Sequence, residues 1–253
     1  MLYKPITVDV DVLARVMRVH GLGEPHITLA AGAAWVDPDT DNAADQAALR
    51  SFSELGMANG AGLHADLVDS LAVLVRPATE FYGWFTHRDA TTAVLAASIG
   101  ADAVLALRRG NRIRLMPVDS VRMAEAVVGC LPNVPPGRGH SINVARSRMR
   151  TALAVPAGQE AVSEHSCGGA EMAFARLRAL PATGAGELHV AIRNRITQRR
   201  SAAPCSVGYQ DTVEGRWWMQ VVPGHDDEWI VAAPATADLL VTRLYDAYRA
   251  LCR

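Results

Sequence analysis

Over much of the second half of the chain, apolar and polar positions alternate with a period of two. In Glu187–Asn194, Leu188, Val190 and Ile192 fall on one side and His189, Ala191 and Arg193 on the other, the signature of a strand. Cys205–Asp211 alternates again through Cys205, Val207 and Tyr209. The segment Asp211-Thr212-Val213-Glu214-Gly215-Arg216 has turn formers at both ends, and Trp217–Val222 returns as a strand. This predicts a hairpin with a longer loop in which Gly215 supplies a positive φ. His225-Asp226-Asp227 is a second polar turn, and Trp229–Ala233 is the last strand. Pro234 is expected to open a closing helix, because a missing N–H costs nothing in the first helical turn. Leu240, Leu244, Tyr248 and Leu251 recur at helical spacing and give that helix an apolar face.

The first half mixes helical and strand periods. Asp9 is placed to cap a helix with Val12, Val16 and Val19 on one face, ended by Gly21 and Gly23. His26–Val36 reads as a strand. Ala43–Gly56 reads as a helix with Leu49, Phe52 and Leu55 inward, preceded by a polar loop from Asp37 to Asn42. After the turn at Asn59-Gly60-Ala61-Gly62, a further helix turns Leu67, Leu71 and Leu74 inward and stops at Pro77. Glu80–Thr86 and Thr92–Ser98 are strands joined through His87-Arg88-Asp89. Ala103–Leu107 and Ile113–Leu115 form a hairpin turning at Arg109-Gly110-Asn111. Pro117 is expected to start a helix that buries Met123, Ala126, Val127 and Cys130.

Both halves therefore follow one grammar: four strands, a proline, a helix. Pro117 corresponds to Pro234, Ile113 to Ile230, Met123 to Leu240 and Val127 to Leu244. Ahead of each meander lie a strand and two helices. In the second half these are His140–Val144, Ala145–Val155 and Gly168–Leu180. The segment Asn133-Val134-Pro135-Pro136-Gly137-Arg138-Gly139 divides the halves, since its prolines and glycines resist helix and central strand alike. Ala157–Gly169 is a second polar loop. The expectation is a single domain over residues 1–253, with halves 1–132 and 138–253 packed about a pseudo-twofold axis into one composite sheet. A β-meander followed by a helix is also a common way to build unrelated α+β units, and the sequence alone leaves both readings open.

Composition narrows the function classes. The chain has 253 residues, half of them hydrophobic, and a formal net charge of −1. No global field draws it to nucleic acid or acidic lipid. All basic residues but Lys4 are arginine, a mark of genome composition more than of function. Cys130, Cys167, Cys205 and Cys252 are widely spaced and form no Cys-x-x-Cys, which suits reduced thiols in the cytosol. No apolar run approaches the roughly 20 residues of a membrane helix, and no leader pattern opens the chain.

The candidate chemistry is sparse. His165-Ser166-Cys167 lies just before a helix, where a thiolate could be activated, and it motivates an alternative reading as a cysteine-dependent enzyme. No base is fixed beside it, and the spacing matches no nucleophile motif. His20 with His26, or His64 with His87, form no metal-ligand pattern. The glycines at Gly21 and Gly23, and at Gly137 and Gly139, are too few for a phosphate loop and lack the order strand, turn, helix. No cofactor is expected. Arg193, Arg195, Arg199 and Arg200 cluster around one hairpin and offer a second alternative, a nucleic-acid finger. No aromatic platform accompanies them, so a solvated loop or a rim for an acidic partner surface is the plainer reading.

Several segments together resemble the EspG family, the ESX secretion-associated proteins of mycobacteria and related actinomycetes. They are Glu187-Leu188-His189-Val190-Ala191-Ile192-Arg193-Asn194, then Ser206-Val207-Gly208-Tyr209-Gln210-Asp211-Thr212-x-x-Gly215-Arg216-Trp217, then Trp229-Ile230-Val231-x-x-Pro234. Residues 137–144 are similar to the family's Gly-x-Gly-Arg-Ser-x-x-Val segment, with His140 intruding between arginine and serine. The hairpin Leu105-x-Leu107…Ile113-x-Leu115-x-Pro117 fits as well. Order and spacing carry the resemblance across nearly the whole chain.

The resemblance implies an α+β, quasi-two-fold-symmetric fold with a central antiparallel sheet flanked by two helical bundles. It implies a non-enzymatic cytosolic chaperone of type VII (ESX) secretion. Such a protein binds PE–PPE heterodimers at the tip of the PPE subunit, keeps them soluble and directs them to their own secretion system. The sheet and the C-terminal bundle would make most of the contact, with no nucleic acid and no membrane insertion; an exposed edge strand would make homodimers easy to form. The working site is then a surface of apolar and aromatic groups with a polar rim. Tyr209, Arg216, Trp217, Trp218 and Trp229 are partner-binding candidates, because aromatic residues and arginine anchor interfaces, although tryptophans on meander strands are also natural core residues. His87, Arg88 and Asp89 are candidates because their turn joins two strands and binding residues concentrate on loops held by rigid scaffolds.

Overall fold

The computed structural model describes residues 1–30, 38–59, 62–148 and 168–253, with side chains of 38–41 left aside. The strands are β1 Ile6–Asp9, β2 Ala58–Asn59, β3 Gly62–Leu63, β4 Thr79–His87, β5 Ala90–Ile99, β6 Asp102–Arg109, β7 Arg112–Pro117, β8 Ile142–Ala145, β9 Ala182–Arg193, β10 Arg200–Ala202, β11 Val207–Thr212, β12 Gly215–Pro223 and β13 Glu228–Pro234. The helices are α1 Val10–Val19, α2 Pro38–Glu54, α3 Ala65–Val75, α4 Met123–Gly129, α5 Gly169–Ala179 and α6 Ala237–Leu251. β2 and β3 form a small hairpin of their own. The other strands make one antiparallel sheet in the order β1-β7-β6-β5-β4-β9-β11-β12-β13-β8, with β10 added on β9.

The seam between β4 and β9 runs through the middle of this sheet, pairing Thr79 with Ile192 at one end and His87 with Gly184 at the other. It joins segments about a hundred residues apart in the chain, so the two halves share one continuous sheet. With β10 left aside and counting from its own first strand, each half lays five strands of this sheet in the same order: first, fifth, fourth, third, second.

Because side chains alternate across a strand, each face of the sheet has its own core. On one face α1, α2 and α3 bury Leu13, Met17, Phe52, Leu67, Leu71 and Leu74 against Leu95, Val104, Ile113 and Leu115. Farther along the same face, α5 packs Phe174 and Leu177 on Ile142, Val144, Trp217 and Ala232. On the opposite face α4 and α6 cover the centre, where Phe81, Val94, Leu105, Leu188, Val190, Tyr209 and Trp218 meet Met123, Val127, Leu240 and Leu244. Central strands covered on both sides read as nearly unbroken apolar runs, as β5 does from Ala93 to Ala97.

Several expectations are corrected here. Neither proline starts a helix. Pro117 ends β7 opposite Val104, and Pro234 ends β13 opposite Trp217. The helices begin later, α4 after a 3₁₀ turn at Ser120–Arg122 capped by Asp119, and α6 at Ala237. Thr236 caps α6, accepting the Leu239 N–H at 3.1 Å. Ile6–Asp9, which no strand expectation covered, forms the sheet edge as β1. The inward face of α1 is Val10, Leu13, Val16 and Met17; Val12 is half-buried and Val19 exposed. α4 buries Ala124 and Val128 with Met123 and Val127, leaving Ala126 and Cys130 half-buried. α2 begins at Pro38, earlier than Ala43. The supposed strand from His26 opens as a turn, with the Leu29 N–H on the His26 carbonyl at 2.7 Å, and residues 31–36 of it lie outside the described residues. So do most of the helix expected over 145–155 and most of the loop over 157–169. The Asp211–Arg216 hairpin is tight rather than long: Thr212 pairs with Gly215 across Val213 and Glu214, and Gly215 takes a φ of 120°.

Candidate protein-interaction site

Among the described residues, the helices leave the centre of one sheet face uncovered. Among the described residues, none of the helical cores on that face spans the strip between the α1–α3 group and α5. Its floor comes from alternate residues of four adjacent strands. One row crosses Trp84, Glu187, Gly208 and Met219, each paired with the next. The neighbouring row crosses Thr86, Ala185, Gln210 and Trp217. Trp84, Gly208, Gln210 and Met219 are half-buried, and Thr86, Ala185 and Glu187 are exposed. Gly208 adds no side chain, so the middle of the strip is shallow. Arg178 of α5 reaches over one margin and donates to Gln210 Oε1 at 3.0 Å.

The other margin is an aromatic and ionic cluster. His189 stacks on Tyr82 with ring centroids 5.2 Å apart and lies edge-on to Trp84 at 6.1 Å. Its Nε2 is 3.9 Å from Glu187 Oε1, which also accepts the Ser206 hydroxyl at 2.6 Å. Beneath Tyr82, the buried Glu80 is held between His26, at 3.2 Å, and Arg200, whose guanidinium also lies 5.3 Å above the Tyr82 ring. Burial pushes the Glu80 carboxyl up, but the hydrogen bond and charge of His26 and the Arg200 guanidinium outweigh it and hold it below the usual carboxylate range. Burial also holds His189 below the usual histidine range, with Arg200 adding to this and Glu187 opposing it.

These shifts have a sign. A histidine depressed in the folded state takes up its proton more readily when unfolded, so stability falls as pH drops through the ordinary histidine range of about 6.5. The Glu80 contribution is lost only at lower pH, as its folded carboxyl protonates. We therefore expect the unfolding temperature to fall between pH 7 and pH 5, and His189→Phe to flatten that fall. An unchanged slope in the variant would place the titration elsewhere.

The structure separates the sequence-predicted candidates. Tyr209, Arg216, Trp217 and Trp218 are all 3–4 % exposed. The two tryptophans do point to opposite faces, but both faces are covered there. Trp217 packs with α5 against the backbone of Gly137 and Gly139, and Trp218 lies under α6 with the Arg243 guanidinium 4.3 Å from its ring. Tyr209 crosses β9 at Gly186, where a Cβ would come within 2.3 Å of the ring. Asp211 and Arg216 form a buried two-point ion pair, at 2.6 and 2.9 Å. Arg216 also donates to the Pro132 carbonyl at 2.9 Å and lies 4.5 Å over the Tyr209 ring. Its backbone bonds Pro135, Gly137 and Ala235. The Asp-Thr…Gly-Arg motif thus fastens the divider between the halves to the sheet, and these four candidates support a surface from below.

The remaining candidates are accessible. Trp229 is 42 % exposed, near the β8 edge of the sheet and on the face opposite the strip. His87 is half-buried, Arg88 and Asp89 are exposed, and Arg88 adopts a φ of 50° in the tight turn, its N–H on the Thr183 carbonyl at 2.9 Å. This turn stands at one end of the strip. Sequence reasoning missed Trp84, Glu187, Gly208, Gln210 and Met219, which the β4–β9, β9–β11 and β11–β12 pairings bring together. Of the basic hairpin, Arg200 is engaged by Glu80 and Arg193 by the Gln198 carbonyl at 2.9 Å. Cys167 lies outside the described residues. Among those described, no cluster of three or more histidine, cysteine or acidic side chains could hold a metal, and no helix is long and apolar enough to cross a membrane.

The strip is shallow and mixes apolar with polar side chains, the composition of surfaces that proteins use to contact other proteins. The sequence matches the EspG family model over residues 9–246, and the chain belongs to the EspG family. The fold is similar to that of the Mycobacterium tuberculosis type VII secretion system chaperone EspG5, solved in complex with the PE25–PPE41 dimer. The TM-score is 0.66 at 16% identity, and 96% of each chain is covered. No curated protein matches the sequence.

Proposed function

We propose that this chain is a cytosolic, non-enzymatic chaperone of type VII secretion that binds a PE–PPE heterodimer through the PPE tip, with the open strip as its docking surface. Membership of the EspG family over residues 9–246 carries the reading. The strip supports it: Trp84 and Met219 offer apolar anchor area, and Glu187, Gln210 and Arg178 supply a hydrogen-bonding margin, the anatomy of a specific interface. The turn at His87, Arg88 and Asp89 stands where it can touch the flank of a bound tip. The shared strand order of the halves supports their origin as an internal repeat, 1–132 and 138–253, about a pseudo-twofold axis at the β4–β9 seam.

Co-expression with the PE–PPE pairs of the same genome, followed by size-exclusion chromatography, tests the reading. A stable one-to-one-to-one complex with at least one pair is expected. Elution of the chain apart from every pair would overturn it.

A further inference from the structure

The glycines of the large sheet divide by what keeps them there. A Cβ at Gly83 would lie 2.1 Å from the Glu187 carbonyl oxygen, one at Gly184 2.5 Å from the Thr86 carbonyl oxygen, and one at Gly186 2.3 Å from the Tyr209 ring. At Gly215 a φ of 120° joins a 2.6 Å clash with the Pro136 carbonyl oxygen. The fold demands each of these. Gly208 differs. Its φ is not in the left-handed range, and among the described residues its Cβ would meet only the Met219 carbonyl oxygen, at 3.3 Å, which a shift of a few tenths of an ångström relieves. Glycine inside a strand weakens the strand, so packing gives no reason for this one.

Gly208 does leave a gap in the middle of the strip. The strands beside it carry Glu187 on one side and Met219 on the other, about 10 Å apart at the usual strand spacing. Gln210 follows on the same face. The polar groups around the gap are already engaged. Glu187 accepts the Ser206 hydroxyl at 2.6 Å, and Gln210 accepts from Arg178 at 3.0 Å. The backbone beneath is paired with a strand on each side. An apolar side chain can therefore enter beside Met219 without stranding a donor or acceptor.

We infer that Gly208 is the floor of a shallow socket, one side chain wide, that receives a single apolar side chain from the tip of the PPE subunit. This rests on the chaperone reading and adds to it the residue that sets the fit. A flat strip would gain contact area from a side chain at position 208, whereas a socket is blocked by one.

The test is a size series in the full chain: Gly208→Ala, Gly208→Val and Gly208→Leu. Each is titrated against a PE–PPE pair that binds the unaltered chain, and its unfolding temperature is measured. Affinity is expected to fall as the side chain grows, by about threefold for alanine and about tenfold for leucine, the loss that overfilling a packed site brings. The unfolding temperature should hold level or rise, because a strand glycine has been replaced. Alanine and valine decide the matter if leucine unfolds the chain. Unchanged or tighter binding across the series would overturn the socket, and so would a loss of affinity that only tracks a loss of stability. If no PE–PPE pair binds the unaltered chain, the chaperone reading falls and the socket with it, a result distinct from a pair that binds and ignores the series.

Discussion

Asp211→Ala is expected to destabilise the chain by about 3–5 kcal/mol, the cost of leaving one member of a buried ion pair uncompensated. In a protein of this size that corresponds to a fall in unfolding temperature on the order of 10 °C. Arg216 would keep its guanidinium in a site that is 3 % exposed, facing, among the described residues, the Pro132 carbonyl and the Tyr209 ring. The damage should also be local. The backbone of Arg216 holds Pro135 and Gly137 through bonds of 2.7 and 2.8 Å, so loosening this residue frees the divider, and limited proteolysis should cut between residues 132 and 139. Replacing both partners with leucine should recover much of the loss, since a buried pair exchanged for apolar side chains is often close to neutral. If Asp211→Ala moved the unfolding temperature by only one or two degrees, the pair would not be the fastening the geometry describes.

This ion pair shows what the sequence can and cannot disclose. Most strands were legible because alternation survives wherever one face is solvated, and α3 because Leu67, Leu71 and Leu74 recur at helical spacing. β1 was missed because four residues leading into a helix carry too little periodicity to stand out. The prolines misled because both strand end and helix start tolerate a residue without an N–H; only the pairing of Pro117 with Val104 and Pro234 with Trp217 decides between them. Tyr209, Arg216, Trp217 and Trp218 looked like interface anchors for the same reasons that made them core. Large rings and a charged fork are as useful under a helix as on a surface, and no local signal states that both faces of β12 are covered. The strip was illegible for the converse reason. Glu187, Gly208 and Gln210 are ordinary strand residues, and their meeting with Trp84 depends on the β4–β9 pairing between segments about a hundred residues apart.

On that account the largest effect on partner binding should come from a residue the sequence did not single out. Met219→Arg places a long cation on the open strip between Gly208 and Ala232, its neighbours in the sheet. If the strip docks the PE–PPE dimer, the change removes apolar contact area and leaves a charge against an apolar surface. The loss should be that of an interface hot spot, about 2 kcal/mol or more, roughly 30-fold in Kd. Glu187→Ala, at an exposed position on the same row, should cost less, because its carboxylate is partly engaged by the Ser206 hydroxyl. Trp229→Ala supplies the contrast: this tryptophan is large and 42 % exposed, yet it sits on the other face, and its loss should leave affinity unchanged. Titration of each variant against a purified PE–PPE pair, with thermal unfolding to confirm that the sheet is intact, separates the two surfaces. Full affinity in Met219→Arg together with a deficit in Trp229→Ala would move the docking surface to the face covered by α4 and α6.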